Sequence, residues 1–332
     1  MNSIDESEKP FNEYSKHYIA MLDKILARQT QGFAVLPPSL HHFGRARTAI
    51  TSILKSREMW ASHAYDMADK REVWHGADIA KQRIELFRQK YANRSDNIDR
   101  FLNVMTDVTN PFTSEWSGEN DVYVVSLTED GQSEFHWKNY ADDYKGFCLD
   151  FKTDASKWKE VMDASNIMLI RVTYDEQEQI QLIDDILEST VSYILNAPVD
   201  NTLFGNTIFG GELSTAIVAA EVLKYYIVAL KQGKGYKDDY TPENEWRMVY
   251  GIRIMPYPFA ISVIGEGPNR RRFAKIKFDG IDPLLVPTGI RVGAAADKRE
   301  HMRYESLEQR HFQDSKLRKP RMLELSHWRR QA

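Results

Sequence analysis

Helical and extended patterns come in blocks along this 332-residue chain instead of alternating strictly. That order constrains the fold class. Strict alternation builds a doubly wound parallel sheet, whereas segregated blocks build an α+β domain. Phe11, Tyr14, Tyr18, Met21, Leu22 and Ile25 repeat at helical spacing and predict a helical extension over residues 1–35. Pro37-Pro38 ends it and forces an extended entry into Ser39–Phe43. A helix over Thr48–Lys55 and a short strand over Glu58–Ser62 follow, then two helices within residues 76–108, the second stopped by Asn110-Pro111. Asp121–Leu127 is the clearest strand. Its core, Val122-Tyr123-Val124-Val125, is apolar without alternation, so both faces are expected to be buried. Strands at Phe147–Phe151 and Met168–Tyr174 precede a helical insertion over about residues 175–232. One helix there carries the stripe Ile180, Ile183, Ile186, Leu187, Val191 and Ile194; a second spans Leu213–Lys231. The remainder reads as strands at Trp246–Ile254, Phe259–Val263, Phe273–Phe278, Leu284–Val286 and Ile290–Ala294, with a helix near Tyr304–Phe312 and a basic tail over 316–332. The expected organisation is one α+β domain over 36–315 with a split or two-sheet β-core.

A net charge of -4 argues against bulk nucleic-acid binding but leaves room for a local basic patch. With one cysteine, Cys148, the chain can form no internal disulfide and no thiolate zinc cluster. Cys148 lies in an apolar strand pattern, Gly-Phe-Cys-Leu-Asp-Phe, and reads as a core thiol before it reads as a nucleophile. The acidic start lacks a basic region and an apolar run, and Leu213–Leu230 is interrupted by Glu221 and Lys224. No signal peptide and no membrane span are expected, and a cytoplasmic location follows. No G-x-G-x-x-G follows a strand and no phosphate-binding lysine loop exists.

Polar residues at the ends of strands are the candidates for chemistry, because the strand fixes them rigidly. Glu134–Tyr140 is a short amphipathic segment leading into the strand Phe147–Phe151. Its Trp137 and Tyr140, three apart, would share a helical side and either sandwich a flat ring or staple the helix to the sheet. Glu243, Glu245 and Arg247 are spaced by two, so in a strand they would line one face. Close like charges would raise one carboxylate's pKa, and Arg247 would pull it down. The bland reading is an ion-pair ladder. His41, His42, Arg45 and Arg47 follow the proline pair and suit a phosphate or ribose, or else cap a turn. Ser126 and Thr128 leave a strand with two hydroxyls on one side. Asp66, Asp69 and Glu72, spaced by three, would share a helical face that binds a cation or is simply solvated. Arg270-Arg271-Arg272, with Lys275 and Lys277, forms a basic tip for an acidic partner or for solvent.

In order, these stretches resemble the bacterial domain of unknown function 2971 family over about residues 36–295. The match begins at Leu40-His41-His42-Phe43 and Trp60-Ala61-Ser62. Met67, Asp69 and Glu72 fit its Phe-Asn-Asp-Pro-x-Glu element, with Ala68 and Lys70 in place of Asn and Pro. Ser126 ends a strand; Trp137 and Tyr140-Ala141 fit Met-Trp-x-x-Tyr-Ala, with His136 for Met. Lys145, Gly146 and Phe151 follow, and Glu-x-Glu-Trp-Arg is unbroken at Glu243–Arg247.

That family is similar in layout to the ADP-ribosyltransferases, which split NAD at the nicotinamide–ribose bond and pass ADP-ribose to an acceptor. The resemblance implies an ADP-ribosyltransferase-like split β-core. NAD would be the substrate and a protein or nucleic acid the acceptor, in phage defence or as a toxin. It implies that His42 holds the adenosine ribose, with Arg45 and Ser62 nearby. Ser126 or Tyr140 frames the nicotinamide beside Trp137, and Glu245 or Glu243 faces the ribose with Arg247 beside them. The alternative is a non-catalytic or metal-dependent nucleic-acid module built on Asp66, Asp69, Glu72 and the Arg270–Arg272 tip.

Overall fold

The computed structural model describes residues 36–45, 47–67, 71–109, 122–154, 167–196, 219–220, 222–250, 261–266, 270–277, 287–299, 301–302 and 306. The expected N-terminal helix, the Leu284–Val286 strand, the Tyr304–Phe312 helix, the basic tail, Asp69 and the side chains of Arg47 and Glu72 lie outside them.

Among the described residues, nine strands form one open antiparallel sheet: β1 Ser39–Gly44, β2 Glu58–His63, β3 Tyr123–Thr128, β4 Phe147–Lys152, β5 Ile167–Arg171, β6 Glu245–Tyr250, β7 Ile261–Ile264, β8 Arg271–Lys277 and β9 Gly289–Val292. Helices α1 Arg47–Ser56, α2 Arg71–Lys90, α3 Asp96–Val108, α4 Glu134–Asn139 and α5 Glu176–Asn196 pack around it, so the fold is α+β.

The sheet forks at β3. One edge of β3 pairs with β6 along its whole length, from Tyr123↔Tyr250 to Thr128↔Glu245. The other edge is shared. β2 takes its start, at Ser62↔Val124 and His63↔Tyr123, and β1 takes its end, at His41↔Thr128. β1 continues outward through β4 to β9, and β2 through β8 to β7. Val125, Ser126 and Leu127 therefore have no strand partner on that edge, and the two arms diverge from it.

Strand alternation sorts the side chains. Tyr123, Val125, Leu127, Trp246, Met248 and Tyr250 join residues of both arms, such as Leu40, Leu149, Ala61 and Ile276, in one core, with Ile50 and Leu54 of α1. The opposite face carries Val124 and Val249 and packs on α2, α3, α5 and residues 219–220 and 222–230. A small third cluster, Trp137, Ala141 and Cys148, pins α4 to β4. The bidentate pair Arg83–Asp184, with both contacts at 2.6 Å, ties α2 to α5.

Two expectations are corrected here. Asp66 does not stand on a helix shared with Glu72. It lies in the 3-10 turn Ala64–Asp66, Met67 is extended, and α2 begins at Arg71. The carboxylate of Asp66 instead binds Arg272, through the backbone N at 2.8 Å and Nε at 3.0 Å. Arg272 is thus committed to Asp66 and does not extend the basic tip. Glu243 is not a strand residue either. Pro242 favours the 3-10 turn Thr241–Glu243, and Asn244 turns left-handed with φ 39° before β6 starts.

Candidate functional site

A cleft of about 780 Å³ opens over the fork. Its floor is Val124–Thr128 of β3; its sides are His41, His42 and Phe43 of β1, Trp60 and Ser62 of β2, and Phe135, His136, Asn139 and Tyr140 of α4. The loop Lys237–Tyr240 and the groups Lys231, Glu243 and Glu245 complete it. That volume is in the range of small-molecule and cofactor sites.

The back wall is a buried charge quartet. Lys231 Nζ lies 2.6 Å from Glu245 Oε2 and also binds Glu243 Oε2. Arg247 donates from Nε to Glu245 Oε1 at 2.8 Å and from Nη2 to Glu245 Oε2 at 3.2 Å, and its Nη1 donates to the Val228 carbonyl. The hydroxyl of Tyr140 donates to Glu243 Oε1. All four charged groups are at most 4% exposed. Two cations and two anions balance, which is what burial of so many charges requires.

The two carboxylates are held differently. Burial would raise both, but Arg247 and Lys231 outweigh it at Glu245 and hold that carboxyl well below the usual range. At Glu243 burial wins over Lys231, and the neighbouring Glu245 adds to it, so its pKa is raised. Environment thus separates a firmly ionised carboxylate from a more basic one.

Lys231 is fixed from behind. Thr173 pairs with Leu230, and Gln179 Nε2 donates to the carbonyls of Thr173 at 2.6 Å and Lys231 at 2.7 Å. Gln179 Oε1 accepts from His75 Nε2 at 2.9 Å. Thr128 Oγ1 donates to the Glu243 carbonyl at 2.9 Å, and the Glu245 amide donates to the Tyr174 hydroxyl at 3.0 Å.

His42 fills the fork. Its Nδ1 lies 2.9 Å from the Ser126 carbonyl, on the edge that no strand covers. A carbonyl only accepts, so Nδ1 carries the proton, and burial lowers the ring's pKa and keeps it neutral. Nε2 is then a lone-pair acceptor. Opposite it, Phe43, His136 and Tyr140 form a row of rings: Phe43 and His136 stack at 5.1 Å and 26°, and His136 and Tyr140 lie 5.5 Å apart at 32°. Burial pushes His136 down to about 4, against the pull of Glu245 and Asp130.

Seven of the nine expected site residues line this one cleft: His42, Arg45, Ser62, Ser126, Tyr140, Glu243 and Glu245. Arg45 also donates from Nη2 to the Asn139 carbonyl at 2.9 Å, closing β1 onto α4. Trp137 and Arg247 are placed elsewhere. Trp137 is 3% exposed and meets Phe43 edge-on at 5.1 Å, so it staples α4 and makes no sandwich with Tyr140. Arg247 is fully buried behind Glu245. Sequence reasoning missed Lys231, Gln179 and the His136 ring. A lysine closing the apolar run Tyr225–Leu230 was the available signal for the first.

His41 turns away from His42 and joins a second cluster. His41 Nδ1 lies 2.8 Å from Asp150 Oδ1, and Arg291 Nη2 donates to the same oxygen at 2.6 Å. His41, Cys148 and Asp150 bring ligand-type atoms within 4.8 Å of one another, but Arg291 occupies the carboxylate. Burial pushes the Cys148 thiol up, so it stays protonated, as a core thiol does.

Residues 136–248 match the family model described as Protein of unknown function (DUF2971). The matched stretch runs from α4 to β6 and holds Tyr140, Lys231, Glu243, Glu245 and Arg247, so the resemblance to that family holds there. No curated protein and no solved structure matches the chain. Among the described residues, no helix is long and apolar enough to cross a membrane.

Proposed function

We propose that this chain is an ADP-ribosyltransferase-like enzyme that splits NAD between nicotinamide and ribose and passes ADP-ribose to a macromolecular acceptor. One observation carries the reading: His42, Tyr140 and the Glu243–Glu245 pair, from distant parts of the chain, line a single cleft. The fork in the sheet is what creates that cleft. A neutral His42 offers Nε2 to a sugar hydroxyl. The ring row of Phe43, His136 and Tyr140 offers a flat apolar wall to the nicotinamide, and the depressed pKa of His136 keeps positive charge away from the cationic pyridinium. As the glycosidic bond lengthens, positive charge grows on the anomeric carbon. Glu245 is already ionised and held by Arg247, so it can face that charge without reorganising.

The test is incubation of purified protein with labelled NAD and cell lysate, reading nicotinamide release and labelled macromolecules. Glu245→Asp keeps the charge that Arg247 needs but withdraws it from the cleft, and should abolish release in a folded protein. Wild-type protein that neither binds NAD nor releases nicotinamide sinks the proposal. A toxin or defence setting makes a further demand: expression should deplete cellular NAD and slow growth, and the Asp variant should do neither.

A further inference from the structure

Both oxygens of Glu243 are engaged, Oε1 by the Tyr140 hydroxyl and Oε2 by Lys231. A cationic acceptor entering the cleft therefore finds neither oxygen open and meets an ammonium beside them. Glu245 likewise has both oxygens held, by Arg247 and Lys231, so it takes no further hydrogen-bond donor and acts on the anomeric carbon only through space. Asp238 and Asp239 stand at the mouth with Lys237, and Asp239 Oδ1 caps the Thr241 amide at 2.9 Å. The group that does face the cleft is Tyr140. It lies at the end of α4, is 37% exposed, and directs its O–H at Glu243. A phenol that donates its proton inward presents oxygen lone pairs outward.

We infer that Tyr140 and Glu243 form a two-step proton acceptor for the incoming nucleophile, and that this nucleophile is a neutral hydroxyl and not a guanidinium. The inference rests on the NAD-cleaving reading above. The step balances. The acceptor O–H bond breaks and its proton passes to the Tyr140 oxygen, while the Tyr140 proton passes to Glu243 Oε1. The acceptor oxygen bonds to the anomeric carbon, and the C–N bond breaks with its electron pair left on the nicotinamide nitrogen, which departs neutral. The raised pKa of Glu243 makes it the better base of the two carboxylates, and Glu245, held low, serves charge stabilisation.

The experiment supplies the full chain with NAD and one of two probes, glycerol for a hydroxyl or agmatine for a guanidinium, and reads adducts by mass spectrometry. A glycerol adduct without an agmatine adduct is expected. Tyr140→Phe should lower kcat for glycerol transfer by about 100-fold with the KM for NAD unchanged, and Glu243→Gln should match it. Preferential labelling of agmatine, or a Tyr140→Phe enzyme with normal kcat, overturns this inference while leaving NAD cleavage standing. No nicotinamide release from the wild type overturns both.

Discussion

Lys231 Nζ lies 2.6 Å from Glu245 Oε2, and the same ammonium binds Glu243 across the turn that separates the two glutamates. One cation from the end of the helical insertion therefore gathers both carboxylates at the mouth of β6. Their convergence does not come from strand alternation, because Glu243 sits in a 3-10 turn and Asn244 reverses the chain locally. It comes from Lys231.

Lys231→Met should therefore be costly. It leaves two buried carboxylates with Arg247 as their remaining close cation, and breaking a buried ion pair on one side typically costs about 3–5 kcal/mol. Urea unfolding at neutral pH should register that loss. The penalty should shrink in acid, where the stranded carboxylates take up protons. A variant as stable as wild type at pH 7 would mean that the quartet is far better hydrated than its burial implies.

The two glutamates should give opposite pH slopes. Glu245 is depressed, so its contribution to stability is present above the ordinary Glu value of about 4.3 and is lost as pH falls through its folded value. Glu243 is raised, so its favourable contribution is present below that ordinary value and is lost as pH rises through the folded one. Relative to wild type, Glu243→Gln should thus gain stability as pH rises above about 4.3 toward pH 7, whereas Glu245→Gln should lose it at lower pH, as pH rises toward about 4.3. The groups around them are Lys231, Arg247, Tyr140, Tyr174 and His136. A series of urea midpoints from acid to pH 7 decides the signs, and a relative loss for Glu243→Gln or a relative gain for Glu245→Gln with rising pH would contradict the division.

Asp150 anchors the outer arm. It takes His41 from β1 and Arg291 from β9, and these contacts hold its carboxyl below the usual range although burial opposes them. Asp150→Asn should cost about 2 kcal/mol at neutral pH, the scale of a charge-assisted hydrogen bond lost in a partly buried place. Because the wild-type contribution is present above the ordinary carboxylate value and lost as pH falls through the folded one, the gap between the two proteins should narrow as pH falls below the ordinary carboxylate value. Chemical denaturation at pH 7 and at a series of acid pH values measures the narrowing, and a gap that stays constant would contradict it.

Much of this layout was legible in the chain. Tyr123–Val125 of the non-alternating run do lie in a strand buried on both faces, and Glu245 and Arg247, two apart, do share a face of β6. Ser126 and Thr128 also share a face, one lining the cleft and the other holding the Glu243 carbonyl. The fork was beyond reach, since no local pattern says that β1 and β2 divide one edge of β3. Lys231 was hidden for a different reason: a cation at the end of a helical run reads as a partner for the helix dipole. Glu243 misled because the Thr241-Pro242 turn signal was outweighed by the even spacing of Glu243, Glu245 and Arg247. Of the two readings of Trp137, the staple holds and the sandwich does not, because i and i+3 neighbours on so short a helix point to different layers once Tyr140 becomes its cap.

Gly76 on α2 sets two effects against each other. Alanine is the better helix former by about 1 kcal/mol, so on propensity alone Gly76→Ala stabilises. Yet a Cβ there would lie 2.4 Å from the Ile227 carbonyl oxygen and 3.0 Å from its Cα. Those are backbone atoms and cannot rotate away, so α2 must shift, at an overpacking cost of about 1–3 kcal/mol. Overpacking should win, and the variant should unfold at lower urea than wild type. The shift also has a direct route to the cleft. His75, the preceding residue, holds Gln179, and Gln179 holds the Lys231 carbonyl. Gly76→Ala should therefore change the titration of Glu243, read by carbon NMR of labelled glutamate, as well as the unfolding midpoint. Gly76→Ser should behave like the alanine variant, since it carries the same Cβ. If Gly76→Ala were as stable as wild type and left Glu243 unmoved, the helical layer would be loosely seated on the sheet, and the positioning of Lys231 by Gln179 would lose its support.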